Sequence, residues 1–390
     1  MIRKATLIFL LAVFPALVFA KGSKNQRRFV GGNIQDKIAS VNEASEAEVT
    51  DLAKAAMEFS INYKELMGDD PDLASLAVAG VTAIPQSYIE GASESERKIL
   101  SDKFLNIFNI FEDNSVKISV LNKISSSYLD GKNFTSTLND FIRNGNPASS
   151  DMALVKNVIQ TLGNIGDEES FKVLFKAIPD QKWELVRGDL ELAFRQLLSE
   201  SELLTLDLIG RGNALEIRTI FDIVAKSEGA TKNFTAEIAE NVLLRSIYIM
   251  GNSSSAGEDL PVLQQEALEL LKDLQWTRAS STAVQYFAQA VSEFNNGQIT
   301  EEAFCTVIKS LPVVSPIGSI QPLSSYLASL NKQMEEKTAA PAENVVLALI
   351  SALASVGDKN AFDALLGVTY YEYPDKVIAA ARDALAKLKW

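Results

Sequence analysis

Few residues in this chain have the type and spacing for covalent chemistry. Ser329 and Lys332 form an S-x-x-K pair with Lys337-Thr338-Ala339 close behind, the outline of an acyl-transfer site. Such a site needs Lys-Thr-Gly on a distant strand and an α/β fold, so the pair reads as coincidence. Cys305, the only cysteine, sits among Ala303, Phe304, Val307 and Ile308 and reads as a buried, inert thiol. Asp69, Asp70 and Asp72 lack the alternating ligands, central glycine and closing glutamate of a calcium loop, and serve better as helix caps. There is no histidine, which removes Ser-His-Asp and Cys-His catalysis and the usual imidazole general base. No phosphate-binding or dinucleotide-binding glycine motif occurs, so the sequence gives no catalytic, cofactor-binding or metal-ligating residue to nominate.

The balance of charge narrows the partners. Lys and Arg number 37 against 50 Asp and Glu, a formal net charge of −13. Nucleic acid and anionic lipid need basic surface to displace counterions, so they are poor candidates. Arg3 and Lys4 precede an apolar run from Ala5 to Ala20, ending in Val18-Phe19-Ala20. That is the layout of a cleaved secretory signal over residues 1–20, too short to span a bilayer. Export to the periplasm or the extracellular space is expected. With one thiol no internal disulfide is available, and stability must come from packing. The sequons at Asn133, Asn233 and Asn252 are glycosylation acceptors in a eukaryotic route and helix-start chemistry otherwise.

The elements that would position any site are helical almost throughout. Residues 21–44 carry Gly22, Gly31 and Gly32 with weak periodicity and read as a flexible lead-in. Apolar residues then recur at three-four spacing, starting with Leu52, Ala55, Ala56, Phe59 and Tyr63. Asp70-Pro71 and the Ser93/Glu96 capping box mark helix starts. A β-branched residue followed by a basic one occurs at Val155-Lys156, Val186-Arg187 and Ile217-Arg218, each 31 residues after the last. A period of that size means stacked supersecondary units. Residues 151–167 also align without gaps to 342–358, with Val155/Val346, Ile159/Ile350, Leu162/Leu353, Gly166/Gly357 and Asp167/Asp358 identical. Gly166 and Gly357 suit a left-handed helix C-cap, and each following Asp can cap the next helix. The chain divides into repeats over 45–311, a proline-bearing bend at 312–322, and further repeats over 323–390.

These residues resemble the HEAT repeats, in particular the short kind first noted in phycobilisome lyases. The likeness is carried by Leu162-Gly163-Asn164-Ile165-Gly166-Asp167, by Asp180 with Val186-Arg187, by Asp113 with Val116-Lys117 and by Ala384-Leu385, over about 114–228 and 342–388. The resemblance implies an all-α fold, a right-handed α-solenoid of stacked helical hairpins whose second helices line a concave face. It also implies a ladder between repeats of turn Asp and helix Arg, interrupted here by Leu347 and Ile378 in the basic position.

The expected function is binding of another protein without catalysis. Opposite the core, the second helices offer the rows Asn157/Gly188/Thr219, Gln160/Glu191/Asp222 and Asn164/Arg195/Lys226, of which Gln160, Asn164, Glu191, Arg195, Asp222 and Lys226 are the candidate contacts. The rivals are a structural component of an extracytoplasmic assembly and a chromophore lyase, the latter because some short-HEAT proteins attach bilins.

Overall fold

The computed structural model describes residues 22–126, 129, 132–198, 201–225, 227, 230–252 and 259–389, so the signal at 1–20, Trp390 and Lys226 lie outside the described residues. Among the described residues the fold is all-helical, with no strand beyond an isolated bridge between Asp358 and Lys389. The chain divides into two compact units at Ser201/Glu202.

Unit 1 holds α1 (Lys24–Gly31), α2 (Ile34–Asn42), α3 (Val49–Met67), α4 (Pro71–Ala83), α5 (Gln86–Gly91), α6 (Glu94–Ile110), α7 (Asn114–Ser125), α8 (Lys132–Asn144), α9 (Met152–Ile165), α10 (Glu168–Ala177) and α11 (Arg187–Leu198). Local chemistry sets the boundaries. Asp70 accepts from Asp72 N at 2.8 Å and Leu73 N at 3.2 Å, with Pro71 opening α4. Ser93 and Glu96 close the expected capping box on α6, and Asp151 accepts from Ala153 N and Leu154 N at the head of α9.

The lead-in at 21–44 differs from expectation. It folds as α1 and α2, each begun by a capping box, Ser23 with Gln26 and Asn33 with Asp36. Phe29 and Val41 are buried with Leu52, Ala56 and Leu76. Helices this short carry too few turns for their spacing to stand out, and their caps were the better signal. Lys37 is buried here as well. Its ammonium donates to the Phe29 carbonyl and lies 5.0 Å from the Phe29 and Phe59 ring centroids, and burial draws its pKa down.

Packing in unit 1 follows sequence order. Helices α3/α4, α6/α7, α8/α9 and α10/α11 pair, and α2, α4, α7, α9 and α11 pack in succession as one row, with α3, α6, α8 and α10 as the other. The apolar stripe expected on the second helices is the core: Val155, Val158, Ile159 and Leu162 on α9 and Leu190, Ala193, Phe194 and Leu197 on α11 are all buried. Phe194 stacks on Phe171 at 4.3 Å between ring centroids.

Unit 2 holds α12 (Glu202–Arg211), α13 (Ala214–Ala225), α14 (Lys232–Asn252), α15 (Asp259–Asp273), α16 (Ser280–Asn295), α17 (Glu301–Val314), α18 (Ile320–Glu336), α19 (Glu343–Val356), α20 (Phe362–Val368) and α21 (Asp375–Leu385). Here α12, α14, α16, α18 and α20 pack in succession, and so do α15, α17, α19 and α21. Stacked or edge-on rings of Phe287 and Phe294 on α16, Phe304 on α17 and Tyr326 on α18 join these three helices. The proline stretch is local: Pro312 lies buried within α17, and the chain turns at 315–319 into α18. At the far end Lys389 N donates to Gly357 O at 2.7 Å.

The two Gly-Asp junctions part company. Gly357 is left-handed at φ 69°, as expected, whereas Gly166 has φ −62° and ψ 156°. Space decides the second case, because a Cβ on Gly166 would lie 2.2 Å from the Leu162 carbonyl oxygen and 3.0 Å from Leu197 Cδ1. Both aspartates cap as read: Asp167 accepts from Ser170 N at 2.9 Å and Asp358 from Asn360 N at 2.8 Å.

Candidate interaction surface

The outward residues of the second helices carry paired charge. On unit 1, Lys156 Nζ of α9 lies 3.4 Å from Asp189 of α11. Glu191 takes Arg187 at 3.3 Å and Arg195 at 3.7 Å. The structure thus brings Glu191 and Arg195 together, with Gln160 and Asn164 exposed on α9. On unit 2, Arg218 of α13 pairs with Asp222 at 3.1 Å and with Glu266 of α15 at 2.6 Å. Glu191 and Asp222 therefore meet solvent already neutralised by arginine. Thr219 departs from its expected row. It is buried, and its hydroxyl donates to the Leu215 carbonyl.

The geometry of these pairs differs from a ladder of turn aspartates. Asp113 and Asp180 accept from backbone N–H groups of their own helix starts, Ser115 at 2.8 Å and Lys182 at 3.0 Å. Lys156 and Arg218 reach instead to carboxylates on the next second helix of their unit. A capping aspartate has its lone pairs committed along its own helix, which leaves the basic residue to find an acid elsewhere.

Within unit 2, α17 and α19 flank an open groove of about 480 Å³, lined by Glu301, Glu302, Cys305, Lys309, Asn344, Leu347, Ala348 and Ser351. That volume is within the range of ligand-binding clefts. Thr300 caps α17 through Ala303 N at 3.2 Å and so fixes the first turn that carries both glutamates. Asn344 Nδ2 donates to Glu301 at 2.6 Å and ties the head of α19 to that turn. Cys305 lies in the groove wall, 7% exposed, and burial pushes its thiol pKa up, which disfavours the thiolate. Sequence reasoning found Cys305 but not the other groove residues. The signal available was Leu347, standing where Lys156, Arg187 and Arg218 stand in the other units of the pattern.

The remaining nominated residues have structural partners. Ser329 Oγ donates to the Tyr326 carbonyl, and Lys332, 70% exposed, lies 3.6 Å from Glu336. Asp69 pairs with Lys64. Trp183 is buried, and Trp276 Nε1 donates to Glu240 at 2.8 Å. Deep in unit 2, Gln289 Nε2 donates to both Gln264 and Glu293, while Gln264 Nε2 and Glu293 Oε2 have no partner. Burial raises the Glu293 pKa above the ordinary carboxylate range. Among the described residues, no cluster of three His, Cys, Asp or Glu is placed to hold a metal ion, and no helix is long and apolar enough to cross a membrane.

No family model matches the chain, and no curated protein sequence does.

Proposed function

We propose that this chain is an exported, non-enzymatic scaffold that binds another protein through the outward face of its second helices, its hairpins stacking as a right-handed α-solenoid of the short HEAT kind. The observation that carries this reading is the succession of second helices within each unit, α4, α7, α9 and α11 in unit 1 and α15, α17, α19 and α21 in unit 2, each packed on the next, which leaves Gln160 and Asn164 on α9 and Glu302 and Lys309 on α17 at the surface. A surface assembled from repeats in register suits an extended protein partner better than a small substrate. The acidic balance favours a partner with basic character.

Affinity capture of the tagged mature chain from its own compartment, with crosslinking before lysis, tests the proposal. A discrete partner recovered by the wild type and lost on Gln160→Lys with Glu302→Lys supports it. A chain that migrates alone in native extract and recovers nothing above a tag control sinks it.

A further inference from the structure

The groove between α17 and α19 is distinguished by two carboxylates, Glu301 and Glu302, that have no ion-pair partner among the described residues. Where α9 and α13 open, the basic residue of the pattern reaches a carboxylate on the next second helix, Lys156 to Asp189 and Arg218 to Glu266. On α19 the same position is Leu347, which faces the preceding helix α17 across the groove and brings no charge to it. Opposite it, on α17, Glu301 has only the Asn344 amide, and among the described residues neither Glu301 nor Glu302 takes part in an ion pair. Lys309, the one cation in the groove lining, is likewise without an ion-pair partner among them. The groove therefore combines the two carboxylates Glu301 and Glu302, an apolar wall of Cys305, Leu347 and Ala348, and the donors Lys309 and Ser351.

We propose that this groove docks an extended segment of a partner protein that carries an Arg or Lys beside a small apolar side chain. The proposal rests on the scaffold reading and names the partner chemistry of one part of its surface. The segment's cation meets Glu301 and Glu302, which have no ion-pair partner of their own among the described residues. Its neighbouring apolar side chain covers Leu347, Ala348 and the wall at Cys305. Lys309 and Ser351 donate to main-chain carbonyls further along. A polyanion is disfavoured by the chain's net charge of −13. A cationic segment is drawn toward the groove by that same field.

The test uses the full mature chain and two fluorescent octapeptides, Gly-Ser-Ala-Arg-Val-Lys-Ser-Gly and its counterpart with Glu in place of Arg and Lys. Saturable anisotropy is expected with the basic peptide, weakening as salt is added. Glu301→Gln with Glu302→Gln should weaken it about tenfold, a loss of about 1.4 kcal/mol. Leu347→Arg, which furnishes an internal cation, should weaken it comparably while leaving the thermal melt in place. Because Cys305 is the only thiol, its alkylation rate reports position, and the basic peptide should slow it. Absence of saturable binding, equal binding of the acidic peptide, or undiminished binding by Leu347→Arg each overturns the proposal. In the capture experiment, full partner recovery by Leu347→Arg overturns the groove while the scaffold reading stands. Failure of the wild type to capture anything strikes the scaffold reading, and the peptide result still decides whether the groove binds.

Discussion

Arg218 on α13 sits 2.6 Å from Glu266 on α15 while also holding Asp222 one turn along its own helix. One guanidinium thus ties two second helices of unit 2 together. The side chains are 30% and 41% exposed, so solvent screens much of the attraction. Arg218→Ala should cost up to about 1 kcal/mol in denaturant unfolding, an effect that shrinks as salt is added. A loss that stays constant in high salt would assign the contribution to packing of the arginine stem instead.

Phe194→Ala should be far more severe. The ring is fully buried against Phe171 and Phe175, and truncating a buried aromatic costs about 3–5 kcal/mol. Limited proteolysis should then open unit 1 ahead of unit 2. Simultaneous cleavage of both units would mean that they unfold as one.

The paired glycines give a differential prediction. Gly357→Asn should be tolerated at a fraction of the cost of Gly357→Ala, because Asn visits the left-handed region more readily. Gly166→Ala should cost more than either, since its Cβ meets backbone oxygen rather than a torsional preference. Thermal melts of the three variants check the order. If Gly166→Ala is the mildest, the close approach to Leu162 is not limiting.

Glu293 makes stability depend on pH with a definite sign. Its folded pKa is raised by burial, so its contribution is fully present below the ordinary carboxylate value and is lost as pH rises through the raised value. Glu293→Gln keeps an acceptor for Gln289 and cannot ionise. Its denaturant midpoint should exceed that of the wild type by a gap that opens as pH rises from the ordinary carboxylate value through the raised one, levels off above it, and closes on acidification. A gap that widens on acidification would reverse the assignment.

Much of the helical layout was readable because period and caps agree over long segments. The stripe Val155, Val158, Ile159 and Leu162 and the caps at Asp70, Ser93, Asp151 and Asp167 all lie within one helix or its turn. What escaped was set by space between helices. Gly166 reads like Gly357 in sequence, yet its need arises from Leu162 and Leu197 closing on it. The groove joins residues about 40 positions apart on α17 and α19, and nothing within either helix marks it except the odd Leu347. Glu191 and Asp222 stand out as candidate contacts in their row, yet each is held by an arginine one turn away on its own helix, a pairing set by i to i+4 spacing.

The order in which hairpins rest on their immediate neighbours within each unit has a mechanical consequence. Tension applied to the ends of such a unit is borne by one interface at a time, so hairpins should peel away singly and the chain should yield in small steps like a spring. A partner spanning several hairpins would stiffen that spring, making tether elasticity a direct gauge of occupancy.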